Sequence, residues 1–195
     1  MSIFHRLFAN GFFASARILF LLWAMLLTAC PNSQKGPESQ FVMGTVCSIN
    51  LYEKGKPELY SRVFARLREL EGILSANQKD TDLDRVNQNA AIGAVKVRGE
   101  LLKVLERALE YAEKSNGYFD PSVGPLVKLW GIGTDSARIP GQEEITEVLN
   151  LVDFRDIEIN KKEGSVFLRK SGMALDLGAI AKGYAADEIA KLLVQ

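Results

Sequence analysis

The first 29 residues restrict where a folded domain can begin. They start with His5, Arg6 and Arg17 and no acidic residue, and residues 18–27 (ILFLLWAMLL) are apolar throughout. This run is too short for a transmembrane helix, which needs about 20 apolar residues. It matches the apolar core of a signal peptide, which is about 7 to 15 residues long. We therefore predict that residues 1–29 are a leader outside the fold.

The leader ends in residues 27–30 (LTAC), the pattern that the lipoprotein signal peptidase cuts before the cysteine. We expect Cys30 to be lipidated, so that acyl chains hold the protein on a membrane surface at the periplasmic face. A signal anchor followed by a chance cysteine is the alternative. Residues 30–40 contain Pro, Gly and Ser and are predicted to be a flexible tether, and the domain is expected at residues 41–195.

Few residue types remain for chemistry once the leader is removed. Cys47 is the only cysteine besides Cys30, which excludes an intramolecular disulfide and a cysteine zinc cluster, and we expect it to be a small buried residue. The single histidine, His5, lies in the leader. A Ser-His-Asp triad, a Cys-His pair and a histidine metal site are thereby excluded from residues 30–195. Carboxylates, lysines, backbone groups and an oxygen-bound metal ion remain.

The charge balance argues against nucleic acid as a partner. Of the 24 basic residues, Arg6 and Arg17 lie in the leader, which leaves 22 against 24 acidic residues. A nucleic-acid-binding domain shows a clustered excess of Lys and Arg. We therefore expect no nucleic-acid binding.

Hydrophobic patterning predicts an α+β fold in which a mixed sheet packs against helices. Residues 41–51 alternate in polarity and are predicted to be one strand. Val63, Leu67, Leu70 and Leu74 recur at helical spacing after Pro57, which suits a first turn. The remaining predicted elements are helices over Gly99–Lys114, Glu143–Leu149 and from near Ala181, a hairpin over residues 157–168 and a strand over residues 173–177.

Two segments indicate more than fold. Asp176 follows an apolar stretch and Gly178 opens a turn into the last helix, whose free N–H groups would form an anion site. Lys182 adds a positive charge nearby; an Asp-capped helix with an ordinary surface lysine is the alternative. Residues 117–131 (GYFDPSVGPLVKLWG) combine Pro and Gly with aromatic side chains in a predicted loop, which favours ligand contact over a merely packed loop.

These segments and Met43-Gly44-Thr45 resemble the ApbE family, in the same order along the chain and from about Phe41 to its end. Members of that family are FAD:protein FMN transferases. The resemblance implies transfer of FMN from FAD to a Thr or Ser hydroxyl of an exported acceptor flavoprotein, such as a subunit of a membrane redox complex. AMP is released, and the reaction depends on Mg²⁺.

The resemblance also implies residue roles. The backbone oxygen of Ala179 would bind Mg²⁺, which prefers oxygen ligands together with substrate phosphate. Trp130 is expected in the core. A methionine such as Met43 in a strand is more often core, so its assignment depends on the family. The side chains implied to contact FAD are Met43, Tyr118, Phe119, Asp120, Asp176 and Lys182.

One position departs from the family. Two residues after Leu74-Ser75, where an aromatic residue, often Tyr, covers the FAD, this chain has Asn77. An amide does not stack as a phenol ring does, so water could reach the pyrophosphate. An FAD pyrophosphatase that gives FMN and AMP is therefore an alternative function. A non-catalytic FAD-binding lipoprotein is another.

The last predicted helix reaches Gln195 without a Gly or Asn cap, which indicates a fold truncated at its C-terminus. Family members continue further, and the resemblance places their remaining magnesium ligands and the expected catalytic base in that part. The catalytic residue of this protein is therefore unknown and expected beyond residue 195. We expect a chain that ends at Gln195 to be inactive.

Overall fold

The computed structural model describes residues 37–51 and 57–194. The leader, Cys30 and residues 31–36 of the predicted tether lie outside these ranges, so their assignments stay predictions. The prediction that the tether reaches residue 40 is wrong, because residues 38–40 pair with residues 47–49 in a strand. Within the described residues, no helix combines the length and apolar character needed to cross a membrane.

The predicted α+β class is confirmed, with two small antiparallel sheets and six α-helices among the described residues. Sheet order is β1-β2 in one sheet and β3-β5-β4 in the other. The strands are β1 (Glu38–Val42), β2 (Thr45–Ile49), β3 (Val95–Lys96), β4 (Ile157–Asn160) and β5 (Ser165–Leu168). The helices are α1 (Pro57–Leu74), α2 (Asp82–Gln88), α3 (Gly99–Lys114), α4 (Gly124–Trp130), α5 (Gln142–Leu149) and α6 (Gly178–Leu193).

The prediction of one strand over residues 41–51 is wrong, because the chain reverses at Met43 and Gly44. Both residues have positive φ, 58° and 68°, as a two-residue hairpin turn with the twist of its strands requires. Strands β1 and β2 pair antiparallel, with Val42 opposite Thr45. The alternation of polarity runs on through the turn, so the pattern did not reveal it.

The core lies where α1, α3 and α6 pack together beside the β3-β5-β4 sheet. Helix α1 begins at Pro57 and α3 spans Gly99–Lys114, as predicted. Their apolar faces are buried because helical spacing places these side chains on one side. The buried side chains of these two helices include Val63, Phe64, Leu67, Leu70, Ile73, Leu74, Leu101, Val104 and Leu105.

A buried carboxylate joins α2 to the start of α3. The side chain of Asp82 is 4% exposed and accepts hydrogen bonds from the backbone N–H of Arg98 at 2.7 Å and its guanidinium at 2.8 Å. Arg85 donates a further bond at 3.0 Å. Burial alone would raise the pKa of Asp82, but the bonds from Arg98 and Arg85 outweigh burial and lower it.

The block over residues 117–131, predicted as a loop, contains helix α4. Pro125 lies in its first turn, where the missing N–H costs nothing. The helix ends at Gly131 with φ 63°, and a Cβ there would lie 2.7 Å from the carbonyl oxygen of Ser136. Trp130 is 37% exposed, so its expected place in the core is wrong; it is the last residue of α4, next to the turn.

The segment over residues 173–177 is extended but is not a strand as predicted. It joins its neighbour through a single parallel bridge between Val123 and Ala174. Met173, Leu175 and Leu177 are buried. Helix α6 then begins at Gly178 rather than near Ala181, so Ala179 and Lys182 both belong to its first two turns.

Candidate functional site

A groove of about 350 Å³, here called the tip lobe, lies against the first turn of α6. Four residues singled out from the sequence line it: Met43, Asn77, Asp176 and Lys182. They come from the β1-β2 turn, the segment after α1, and the start of α6. The structure therefore brings together residues from three separate parts of the chain.

A carboxylate, Asp176, lies just before α6, and a lysine, Lys182, lies one turn into the helix. Asp176 accepts a hydrogen bond from the N–H of Gly178 at 2.7 Å, and the ammonium of Lys182 donates to the carbonyl of Gly178 at 2.8 Å. An ionised carboxylate repels phosphate, so Lys182, which is exposed, must supply the positive charge for an anion here. Asp176 binds the first N–H of α6, although the N-cap residue is Leu177, and both Asp176 and Lys182 line the groove.

Glu71 lies on the wall of the tip lobe and was missed by sequence analysis. Its carboxylate accepts a hydrogen bond from the N–H of Gly44 at 3.2 Å, which ties α1 to the hairpin turn. Met43 adopts left-handed backbone geometry, which costs a residue with a Cβ roughly 1 to 2 kcal/mol. The position of Glu71 in helix α1 did not indicate a role in the site, because its contact with Gly44 spans 27 residues of sequence.

Cys47 is partly buried near the tip lobe, and its thiol contacts the carbonyl of Val42 at 3.6 Å. Burial raises its pKa, the nearby Glu71 raises it further, and Lys182 lowers it. A raised pKa disfavours the thiolate form that a nucleophilic cysteine needs.

A second, larger groove of about 1040 Å³, the wide lobe, adjoins the first. Ala76, Asn77 and Asp176 line both lobes. Asn77 is exposed and lies at the junction. A larger side chain at this position would narrow the passage between the lobes.

Three residues that the family resemblance assigned to FAD line neither lobe. Tyr118 is 96% exposed, and Phe119 packs edge-on against Tyr111 with 6.5 Å between ring centres. Asp120 accepts hydrogen bonds from the hydroxyl of Ser122 at 2.6 Å and the N–H of Phe154 at 3.0 Å. Asp120 therefore has a structural role here, and the flavin contacts of these residues stay predictions.

The described residues offer no cluster of side-chain ligands for the predicted Mg²⁺. The stretches 37–51 and 57–194 contain no group of three or more Asp, Glu, His or Cys side chains able to hold a metal ion. Ala179 is exposed in the first turn of α6, where a helical carbonyl points along the axis toward the next turn. It could supply one oxygen ligand at most, so these residues do not complete a magnesium site.

Sequence comparison decides the family. A model described as the ApbE family matches residues 43–195. The chain belongs to the ApbE family. It is 41% identical over 164 residues to an FAD:protein FMN transferase of Treponema pallidum, covering 80% of this chain and 45% of the relative. A Klebsiella pneumoniae protein of the same name is 33% identical, covering 80% of this chain and 49% of the relative.

Solved ApbE structures share the fold. A Thermotoga maritima ApbE protein superposes with a TM-score of 0.73 at 27% identity, over 80% of this chain and 51% of that one. The flavin transferase ApbE of Vibrio cholerae gives 0.71 at 27% identity, over 80% and 52%. The chain spans about half the length of the curated relatives it matches.

Proposed function

We propose that the protein transfers FMN from FAD to a Thr or Ser hydroxyl of an acceptor protein and releases AMP. One observation carries this proposal: Met43, Asn77, Asp176 and Lys182 line a single groove at the start of α6. The names of the relatives in Treponema pallidum and Klebsiella pneumoniae support the same reaction.

The reaction is a phosphoryl transfer. The acceptor hydroxyl oxygen forms a bond to the phosphorus on the FMN side of the pyrophosphate, and the bond from that phosphorus to the bridging oxygen breaks. AMP leaves with the bridging oxygen, and the hydroxyl proton passes to a base outside the described residues. The ammonium of Lys182 stabilises the negative charge of the pyrophosphate. Asp176 fixes the turn from which Lys182 extends.

Mg²⁺ as cofactor is part of the proposal. It would neutralise charge on the pyrophosphate, with the backbone oxygen of Ala179 as one ligand. The described residues lack a cluster of acidic side chains for it. Its other ligands would therefore come from FAD itself and from residues outside the described ranges.

We also propose that the protein works as a lipoprotein anchored through Cys30 outside the cytoplasm. The LTAC pattern of residues 27–30 supports this location. Exported acceptors such as subunits of membrane redox complexes would meet the enzyme there, because an anchored enzyme and a membrane-bound acceptor share one surface.

The second candidate is FAD pyrophosphatase activity, favoured by Asn77. This small exposed amide lies where the two lobes meet. It leaves the groove open to water at the site of the pyrophosphate. Water would then take the place of the acceptor hydroxyl, and free FMN and AMP would form.

The test uses the full-length protein, FAD, Mg²⁺ and a threonine-containing domain of an exported redox subunit, with its Thr→Val variant as control. Transfer predicts that the acceptor gains the mass of FMN less one water, that the control gains none, and that AMP appears in equal amount. AMP with free FMN, equal with and without acceptor, would establish the pyrophosphatase instead. Bound FAD without AMP release would contradict both and leave a binding protein.

A further inference from the structure

The extended segment over residues 173–177 carries Asp176 into the groove, and Asn87 holds this segment from one side. The amide nitrogen of Asn87 donates to the carbonyl of Leu175 at 3.0 Å, and its amide oxygen accepts from the N–H of Leu175 at 2.7 Å. One side chain thus pairs both backbone groups of a buried residue, as a neighbouring strand would. The two residues are 88 positions apart.

The other side of the segment is held by the block that includes α4. The N–H of Asp176 donates to the carbonyl of Pro121 at 2.9 Å, and the N–H of Gly124 donates to the carbonyl of Ala174 at 3.2 Å. A Cβ at Gly124 would lie 2.6 Å from that carbonyl oxygen. The segment is therefore held from both sides, and Asn87 supplies the hydrogen bonds to Leu175 on the side opposite α4.

Helix α2 connects this contact to the opposite wall of the groove. Its N-cap, Thr81, is 2% exposed and donates to the carbonyl of Ser75 at 2.6 Å, two residues before Asn77. The same hydroxyl accepts from the N–H of Asp84 at 2.9 Å. One end of α2 is therefore fixed to the Asn77 wall, and Asn87 fixes the other end to the Asp176 wall.

We propose that Asn87 is a positioning residue for the FAD site: with α2 as a spacer, it sets the separation between the Asn77 and Asp176 walls. Asn87 lines the wide lobe but acts through Leu175 rather than on the reacting atoms. This inference rests on the proposed function, because the ligand whose affinity reports the spacing is FAD.

The diagnostic change is Asn87→Asp in the full-length protein. The carboxylate keeps the acceptor for the N–H of Leu175 but presents a second acceptor to its carbonyl, so the pair becomes repulsive. A protonated carboxyl restores one donor and one acceptor in the same shape. We expect FAD affinity about tenfold below that of the unsubstituted protein at pH 8. Burial beside the Leu175 carbonyl should raise the pKa of the new carboxyl, so the deficit should shrink to about threefold or less as the pH falls to 5.

Affinity is measured by flavin fluorescence from pH 5 to 8 and expressed as the ratio of variant to unsubstituted protein. Asp84 of α2, Asp176 and Lys128 of α4 line the same lobe. Both proteins contain these groups, so their own titration affects the ratio only through their coupling to the new carboxylate, which Asn89→Asp at the C-cap of the same helix also introduces. The matched control is Asn89→Asp, since the amide of Asn89 bonds only locally, to the carbonyl of Arg85 at 2.8 Å. It should leave the ratio near one at every pH.

The outcomes separate the inference from the function on which it rests. If the unsubstituted protein binds no FAD, the proposed function fails. If it binds FAD and Asn87→Asp matches it at all pH values, or loses affinity without recovery at low pH, the positioning role is wrong. Asn87→Ala removes both bonds without adding a charge, so it should fold where the Asp variant does not and give a pH-independent loss of FAD affinity; unchanged affinity in it would equally overturn the inference.

Discussion

Adding the same methyl group at two glycines should change stability in opposite directions. Gly44 has φ +68°, whereas Gly72 lies in the last turn of α1 (Pro57–Leu74) and does not have positive φ. A Cβ at either position would meet nothing within 4 Å. Steric clashes therefore contribute to neither change, and only the backbone conformation differs.

The magnitudes follow from that difference. At Gly44, left-handed geometry costs alanine roughly 1 to 2 kcal/mol, and reduced freedom of the unfolded chain returns about 0.4 to 1 kcal/mol. Gly44→Ala should therefore lower the free energy of unfolding by roughly 1 kcal/mol. Gly72→Ala should raise it by about 0.5 kcal/mol, the lower end of the preference for alanine over glycine in a helix, because Gly72 lies in the last turn.

Urea and thermal unfolding followed by circular dichroism measure both changes. Gly44→Ala should lower the melting temperature by roughly 2 to 4 °C and Gly72→Ala should raise it by roughly 1 to 2 °C. Only Gly44→Ala should also weaken FAD binding, because the turn at Gly44 lines the tip lobe. If both variants shift stability in the same direction, the left-handed geometry at Gly44 is refuted. If Gly44→Ala loses stability but retains full FAD affinity, the turn plays no part in the site.

The remaining predictions concern charge, the junction of the lobes and the anchor. Lys182→Ala should weaken FAD binding by about 1 to 3 kcal/mol, as measured by fluorescence titration, whereas Lys191→Ala on the same helix should not; equal effects would make Lys182 an ordinary surface residue. Asn77→Tyr should slow acceptor-free AMP release and retain FAD longer by about 0.5 to 1.5 kcal/mol, and no change in either would exclude the lid effect. Asp82→Asn should destabilise the fold most above about pH 5, and the difference should shrink as pH falls below about 4, because the lowered pKa of Asp82 stabilises the fold only where the carboxylate is ionised. Cys30→Ser should abolish incorporation of labelled fatty acid, and unchanged labelling would contradict the lipoprotein assignment.

Helices with long amphipathic faces could be predicted from the sequence, and short or conformationally special elements could not. Helices α1 and α3 repeat apolar residues over several turns, so their bounds follow from the pattern. The Met43 turn escaped prediction because methionine is rare at positive φ. Helix α4 escaped because Pro and Gly dominate its first turn, where they favour a helix start as much as a loop.

Some residues of the site could likewise be predicted from the sequence and others could not. The family motifs pointed to Met43, Asp176 and Lys182, and these residues do meet in the groove. Glu71 and Asn87 carry no motif, since each acts through one hydrogen bond or one pair of bonds to a distant backbone. Such contacts depend on where the chain returns in space, and periodicity along the sequence does not report that.

If α2 acts as a spacer, the number of residues in this helix is constrained in evolution. Successive residues of an α-helix are rotated by about 100°. One residue inserted between Thr81 and Asn87 would therefore turn the Asn87 amide away from Leu175, while Thr81 still capped the helix. Deletion of one residue would rotate the Asn87 amide by the same angle in the opposite direction. Homologous proteins should therefore tolerate insertions in the exposed loop over residues 132–139 but keep the number of residues from Thr81 to Asn87 constant.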